Sequence, residues 1–170
     1  MTLEQYREKH GYLSEIGQRV TERYEYAARL FDQLKEILLI QYGLKHTSDM
    51  FHATAHWFPG QFDVVGDILH QCHVMQIYGA TAQVVFTGNT ANDVFFEAVA
   101  MLDKIADDLT GAIQECDEKK DSALARQFET LLIGVSEEKD KYMAAWKMLE
   151  ETDSASSFDN WVAHTEEGGD

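Results

Sequence analysis

Five of the seven histidines fall between positions 46 and 73, interleaved with carboxylates: His46, Asp49, His52, His56, Asp63, Asp67, His70 and His73. Imidazole mixed with carboxylate is a donor set that suits iron, manganese or zinc. On a helix Asp49, His52 and His56 share one face, because positions three and four apart are neighbours there. Asp63, Asp67 and His70 repeat the pattern. The pairs Asp49 with His52 and Asp67 with His70 have the spacing of the Glu-x-x-His pairs that helical bundles use to hold two metals, with a side chain shorter by one methylene. Pro59 and Gly60 stand between the two groups and predict a helix stop. Folding back antiparallel at that stop brings the groups face to face, so His52, His56, Asp63, Asp67 and His70 are the expected metal ligands. His46 and His73 are expected behind them or at the surface. The competing reading makes the histidines half-buried hydrogen-bonding groups, with Asp49 and Asp63 as local caps.

The elements that must position these side chains are helices. One proline in 170 residues, with apolar residues recurring at helical spacing nearly throughout, points to an all-α chain. A short polar helix is expected over 2–12, ended by Gly11. A long one follows over 14–57, with Ile16, Val20, Tyr24, Leu30, Leu34 and Leu38 inward and a break near Gly43 or at Thr47 and Ser48. A helix over 61–86 comes after Pro59, then a turn over 87–93 with N-cap residues. Two further amphipathic helices are expected over 93–117 and 121–151. Four principal helices make a bundle. Residues 1–151 are expected as the bundle domain, and 152–170 as an acidic, mobile tail in which Phe158 and Trp161 are rings able to dock on the body or on a neighbouring subunit.

Composition narrows the partners. Thirty acids against 14 basic residues give a formal charge of -16. That charge disfavours nucleic acid and membrane surfaces and attracts cations. Cys72 and Cys116 lie within helical patterns and read as buried, reduced thiols, consistent with a cytoplasmic protein. No apolar run is long enough to span a bilayer. There is no glycine-rich phosphate loop, so no organic cofactor is expected. The serines Ser14, Ser48 and Ser136 lack hydrolase context. Glu97 and Glu138 lie nearest the inward stripes of the last two helices and are candidate completing ligands of a four-helix metal site.

The run Phe51-His52-Ala53-Thr54-Ala55-His56-Trp57, followed by Gly60 and Phe62, resembles the end of the first bundle helix in the Dps-type miniferritins, where a His-Trp pair precedes a glycine loop and a phenylalanine. The helices over 101–118 and 121–146 are similar to the last two of that family. This resemblance, over about 100 residues, implies a ferritin-like four-helix bundle preceded by an additional N-terminal helical segment. It also implies a hollow homo-oligomeric cage of twelve subunits and ferrous oxidation (ferroxidase activity) at iron sites shared between two subunits. His56 matches a family iron ligand. Counting onward, His70 falls where the family has an aspartate and Gly66 where it has a histidine, with Asp63 and Asp67 as substitutes. The stretch 79–85, where the family carries further acids, has none here, and a long crossover requires residues from about Gly79 to unwind.

Two functions from different classes follow. One is a ferritin-like protein that binds iron, or manganese or zinc, and oxidises and stores it in an oligomer. The other is a metal-free helical bundle that acts by interaction or oligomerisation. A small acid–base enzyme is a third reading, with no substrate indicated.

Overall fold

The computed structural model describes residues 2–167. These form six helices: α1 Leu3–His10, α2 Leu13–Tyr42, α3 Lys45–Gln71, α4 Ala91–Glu118, α5 Ser122–Glu151 and α6 Ala155–Glu167. The expected all-α bundle, with an extra helical segment before it, is the fold. Thr2 starts α1 through a reciprocal capping box with Gln5. The long α2 ends at Gly43, whose φ of 66° lies in the left-handed region that glycine enters without Cβ strain. Leu44 N–H then closes on Leu38 O at 3.0 Å, and the chain reverses into α3.

Helix directions follow from who meets whom. Arg23 on α2 bonds Asp108 on α4, and Arg19 bonds Glu115, so α2 and α4 run antiparallel. Tyr142 on α5 reaches Thr54 and the Met50 carbonyl on α3, while Glu138 one turn earlier also meets Thr54. With α2 antiparallel to α3 and α4 to α5 across tight turns, α3 and α4 are parallel and need a crossover the length of the bundle. Residues 74–89 supply it as irregular chain.

Three expectations change here. Pro59 does not end a helix: α3 runs through it. Proline inside a helix removes one N–H and costs about 3 kcal/mol. Phe58, fully buried and packed on Phe31 at 5.1 Å and Tyr24 at 6.1 Å, anchors the helix across that position, and burying such a ring contributes about 1.5–3 kcal/mol. The expected helix over 61–86 is the C-terminal part of α3 followed by the crossover. The stop is His73, held at φ 56°, with Val74 N–H closing on Leu69 O at 2.9 Å. Finally, the first part of the acidic tail becomes helical: Ser154 caps α6 by accepting from Ser157 N–H, and Phe158 is fully buried. Residues 168–170 lie outside the described residues.

The centre of the bundle is aromatic. Phe31 of α2 packs against Phe51 of α3 at 5.5 Å and Tyr142 of α5 at 5.3 Å, and Phe51 packs against Phe95 of α4 at 5.4 Å. All four rings are fully buried, so all four bundle helices meet through apolar surface at this level. Phe158 extends the stack from α6, 5.9 Å from Phe95.

Candidate metal centre

Because α3 is unbroken, the expected ligands are strung along one helix. At ~100° per residue, positions 52, 56, 63, 67 and 70 return to within about 60° of one another. Each of these five side chains is exposed. They form an acidic and imidazole stripe on the outer face of α3. The antiparallel facing that the Pro59 turn would have given does not occur. His56 and Asp63 are separated by about 10 Å of helix at ~1.5 Å per residue. Ligands of one ion bonded at about 2.1 Å have donor atoms within about 4 Å of each other. Among the described residues no group of three or more His, Cys, Asp or Glu side chains is placed to hold a metal.

What the structure does bring together is the first part of the stripe. The rings of His52 and His56 meet edge to face at 4.4 Å. From α2, Asp32 approaches His52 Nδ1 at 3.6 Å. Lys35 Nζ stands between them, 3.2 Å from the same Nδ1 and 3.4 Å from Asp32 Oδ1. Ser48, buried at the start of α3, donates to the Lys35 carbonyl at 2.9 Å and fixes the two helices in this register. Asp49 is held by Lys45 one turn earlier at 2.7 Å. His46 and His73 are exposed, as expected.

The two acids considered for an interior site behave differently from metal ligands. Glu138 is half-buried beside Thr54, which donates to it at 3.1 Å, and Lys141 neutralises it at 2.9 Å. Glu97 lies at the edge of the bundle beside Phe96 and Asp93, next to the end of the crossover. Asp93 belongs to the capping box of α4: N–H groups of Asn89 and Thr90 bond its carboxylate and hold its pKa below the usual carboxylate value.

A second polar cluster closes the far end of the bundle. His10 of α1 is buried, with Nδ1 3.4 Å from Asp121 Oδ2 but without hydrogen-bond geometry. Burial lowers its pKa, Asp121 opposes that, and Lys9 adds to it. Tyr6 covers His10 at 4.5 Å and His73 at 5.6 Å. Both thiols are free and buried here, as expected, and burial is the main cause of their raised pKa values. Tyr12 donates to Cys116 Sγ at 3.8 Å, and its own pKa is pushed up by burial first.

Sequence reasoning missed Asp32 and Lys35. Their spacing, three residues on one face of α2, is an ordinary helical ion pair. Only the α2–α3 register brings them to His52. It also missed Asp159, the only buried carboxylate among the described residues, because its partners lie over 110 positions away.

His56 and Trp57 sit in the middle of α3, the second long helix, not at the end of the first. No family model matches the chain, and no curated protein matches it. Its fold matches the crystal structure of a ferritin from M. penetrans with a TM-score of 0.82 over 91% of this chain and 95% of that chain, at 11% sequence identity. At that identity the likeness speaks for architecture: the chain is ferritin-like in fold.

Proposed function

We propose that this protein binds iron, or a similar divalent cation such as manganese or zinc, along the outer face of α3, and that it oxidises and stores iron as a homo-oligomer. The observation that carries the reading is the stripe itself: His52, His56, Asp63, Asp67 and His70 on one exposed face, in a chain whose charge of -16 concentrates cations at its surface. The ferritin-like fold supports the choice of iron.

One copy presents the donors in two separate groups, so a second copy completes the site. An isologous contact exchanges unlike groups: what residue i touches on the partner, the partner's i touches in return. A two-fold axis near Gly60 sets the His52 and His56 end of one α3 against the Asp63, Asp67 and His70 end of the other. Gly60 is exposed, and no atom lies within 4 Å of where its Cβ would be, so two helices can approach closely there.

The test is anaerobic titration of metal-stripped protein with ferrous iron, then admission of oxygen while ferric absorbance is followed. Saturation at a small whole number of ions per subunit, lost in His56→Ala without a change in melting, is the expected result. Binding no stronger than buffer sinks the reading. It would favour the second one, a metal-free oligomerising bundle, to which one observation already points: ammonium groups of Lys35 and Lys141 stand beside the carboxylates of Asp32 and Glu138.

A further inference from the structure

The short helix α1 is fastened to the bundle through one side chain. His10 is its only buried residue, while Leu3, its one aliphatic residue, is 54% exposed. His10 Nδ1 faces the Asp121 carboxylate at 3.4 Å but makes no hydrogen bond, and that carboxylate is itself only 13% exposed. The groups around this imidazole come from several elements. Tyr6 and Lys9 belong to α1, and Asp121 stands at the start of α5. The Cys72 thiol and His73, at the end of α3, both meet Tyr6. Cys116 of α4 lies under Tyr12, with Lys119 over the Tyr12 ring at 6.0 Å and Glu115 and Asp117 nearby. A neutral imidazole suits such a place. An imidazolium brings a second N–H that needs an acceptor and a charge cut off from water. Burial is the largest effect on His10, Asp121 returns part of it, and Lys9 adds to it.

We infer that α1 is an acid-released cover: protonation of His10 frees it from the bundle about the joint at Gly11 and uncovers the Cys72 thiol, while Cys116 stays closed. Cys72 is 3% exposed, and Tyr6 and Lys9 of α1 both act on its thiol. Cys116 is fully buried beneath Tyr12, which lies beyond the end of α1 and next to the fully buried Leu13. The joint is free to bend, since a Cβ on Gly11 would meet only the Arg7 and Glu8 carbonyls of α1 itself. The closed form is favoured above the ordinary imidazole value of about 6.5 and loses ground as pH falls through it. Cys72 is thus a thiol that an oxidant or electrophile reaches on acidification. One proton per opening limits the effect: between about pH 7.5 and about pH 5.5 opening rises at most about tenfold.

A dithiodipyridine disulfide, which labels thiols in mild acid as well as at neutral pH, is the probe. Labelling of each cysteine in the full chain is followed by the mass of its peptide. Each rate is divided into that of the same cysteine in urea at the same pH, which cancels the thiol's own titration and gives its protection. Protection of Cys72 is expected to fall severalfold, up to about tenfold, from about pH 7.5 to about pH 5.5, with that of Cys116 unchanged. In His10→Gln, which does not titrate, it is expected to stay flat. Asp121→Asn removes the opposing carboxylate while keeping a residue suited to a helix start, and its fall is expected to be steeper than the native one. Protection of Cys72 that ignores pH overturns the inference. So does an equal fall in His10→Gln, which would assign the opening to His73 or to the carboxylates, and so does an equal fall at Cys116, which would mean that the whole end of the bundle unfolds. If His10→Gln leaves Cys72 unprotected at every pH, Asp121→Asn decides, and a fall no steeper than the native one overturns the inference.

Discussion

The carboxylate of Asp159 on α6 is the N-terminal cap of α3: Oδ1 accepts from the backbone N–H of Thr47 at 2.8 Å and from its hydroxyl at 2.7 Å. Oδ2 accepts from His46 N–H at 3.0 Å. Leu44, the residue before α3, offers no side-chain cap of its own. A helix start leaves N–H groups without partners, and an acidic side chain there also meets the positive end of the helix dipole. The last helix of the chain thus completes the helix that carries the candidate site. Asp159→Ala is expected to cost about 1–3 kcal/mol in urea unfolding, since Asp159 is 8% exposed and its donors are left without an acceptor. It is also expected to speed proteolysis after position 151. An unchanged midpoint and cleavage pattern would show that α6 docks through its apolar side chains, Phe158 and Val162, alone.

How much of this was legible in the sequence depended on whether the deciding contact was local. Gly43 was legible because a left-handed glycine announces its own turn. Apolar spacing predicts the helices α2, α4 and α5, and expected inward residues such as Leu34, Leu102 and Phe128 are buried, whereas Phe96, expected on the same stripe of α4, is exposed. Pro59 misled because its local cost is offset by burial on either side of it, Phe58 against α2 together with Val65 and Leu69 further along α3, contacts made across helices. The end of α3 was hidden because the left-handed position is filled by His73 rather than glycine. The ligand residues were legible as a stripe, but their distribution over two groups on one helix depended on Pro59 lying within that helix.

Lys120 fills a similar position in the α4–α5 turn, with φ at 58° and Asp121 N–H closing on Cys116 O at 2.8 Å. Left-handed backbone costs a non-glycine residue roughly 1–2 kcal/mol. Lys120 is exposed, so little packing offsets a change there. Lys120→Gly is expected to raise stability by about 1 kcal/mol, less the entropy that glycine adds to the unfolded chain. His73→Gly is expected to gain less, because His73 also meets the Tyr6 ring at 5.6 Å. Paired denaturation curves check both, and the reverse ranking would mean that the Tyr6 contact adds nothing.

His10 makes stability depend on pH in a stated direction. Desolvation lowers its folded pKa below the ordinary 6.5, against the partial opposition of Asp121. The unfolded chain therefore takes up the proton first as pH falls. Its contribution is fully present above about pH 6.5 and is lost as pH drops through that value towards the folded pKa. Urea unfolding at about pH 7.5 and about pH 5.5 is expected to show a smaller drop for His10→Gln than for the native chain. A drop of the same size in both would assign the acid sensitivity to other groups.

The crossover is pinned where Gly66 leaves room for Gln76. A Cβ on Gly66 would lie 2.3 Å from Gln76 Oε1. In the native chain Gln76 Nε2 donates to Thr21 Oγ1 at 2.9 Å and to the Phe62 carbonyl at 2.8 Å, while Tyr78 donates to its Oε1 at 2.9 Å. One amide thus ties the start of the crossover to α2 and α3 together. Gly66→Ala displaces the end of a flexible side chain, not backbone, so Gln76 swings out and these bonds are lost. The same substitution favours α3 itself by about 1 kcal/mol, the helix penalty of glycine. The two effects oppose each other in global stability, which is expected to change little. They do not oppose each other in the crossover. Amide hydrogen exchange over 74–79 is expected to accelerate in Gly66→Ala while α2 and α4 keep their protection. Gln76→Ala is expected to reproduce the faster exchange without the gain in α3. If exchange in the crossover is unchanged in both variants, the segment is held by Val84 and Phe86 against the core and Gln76 is not its anchor.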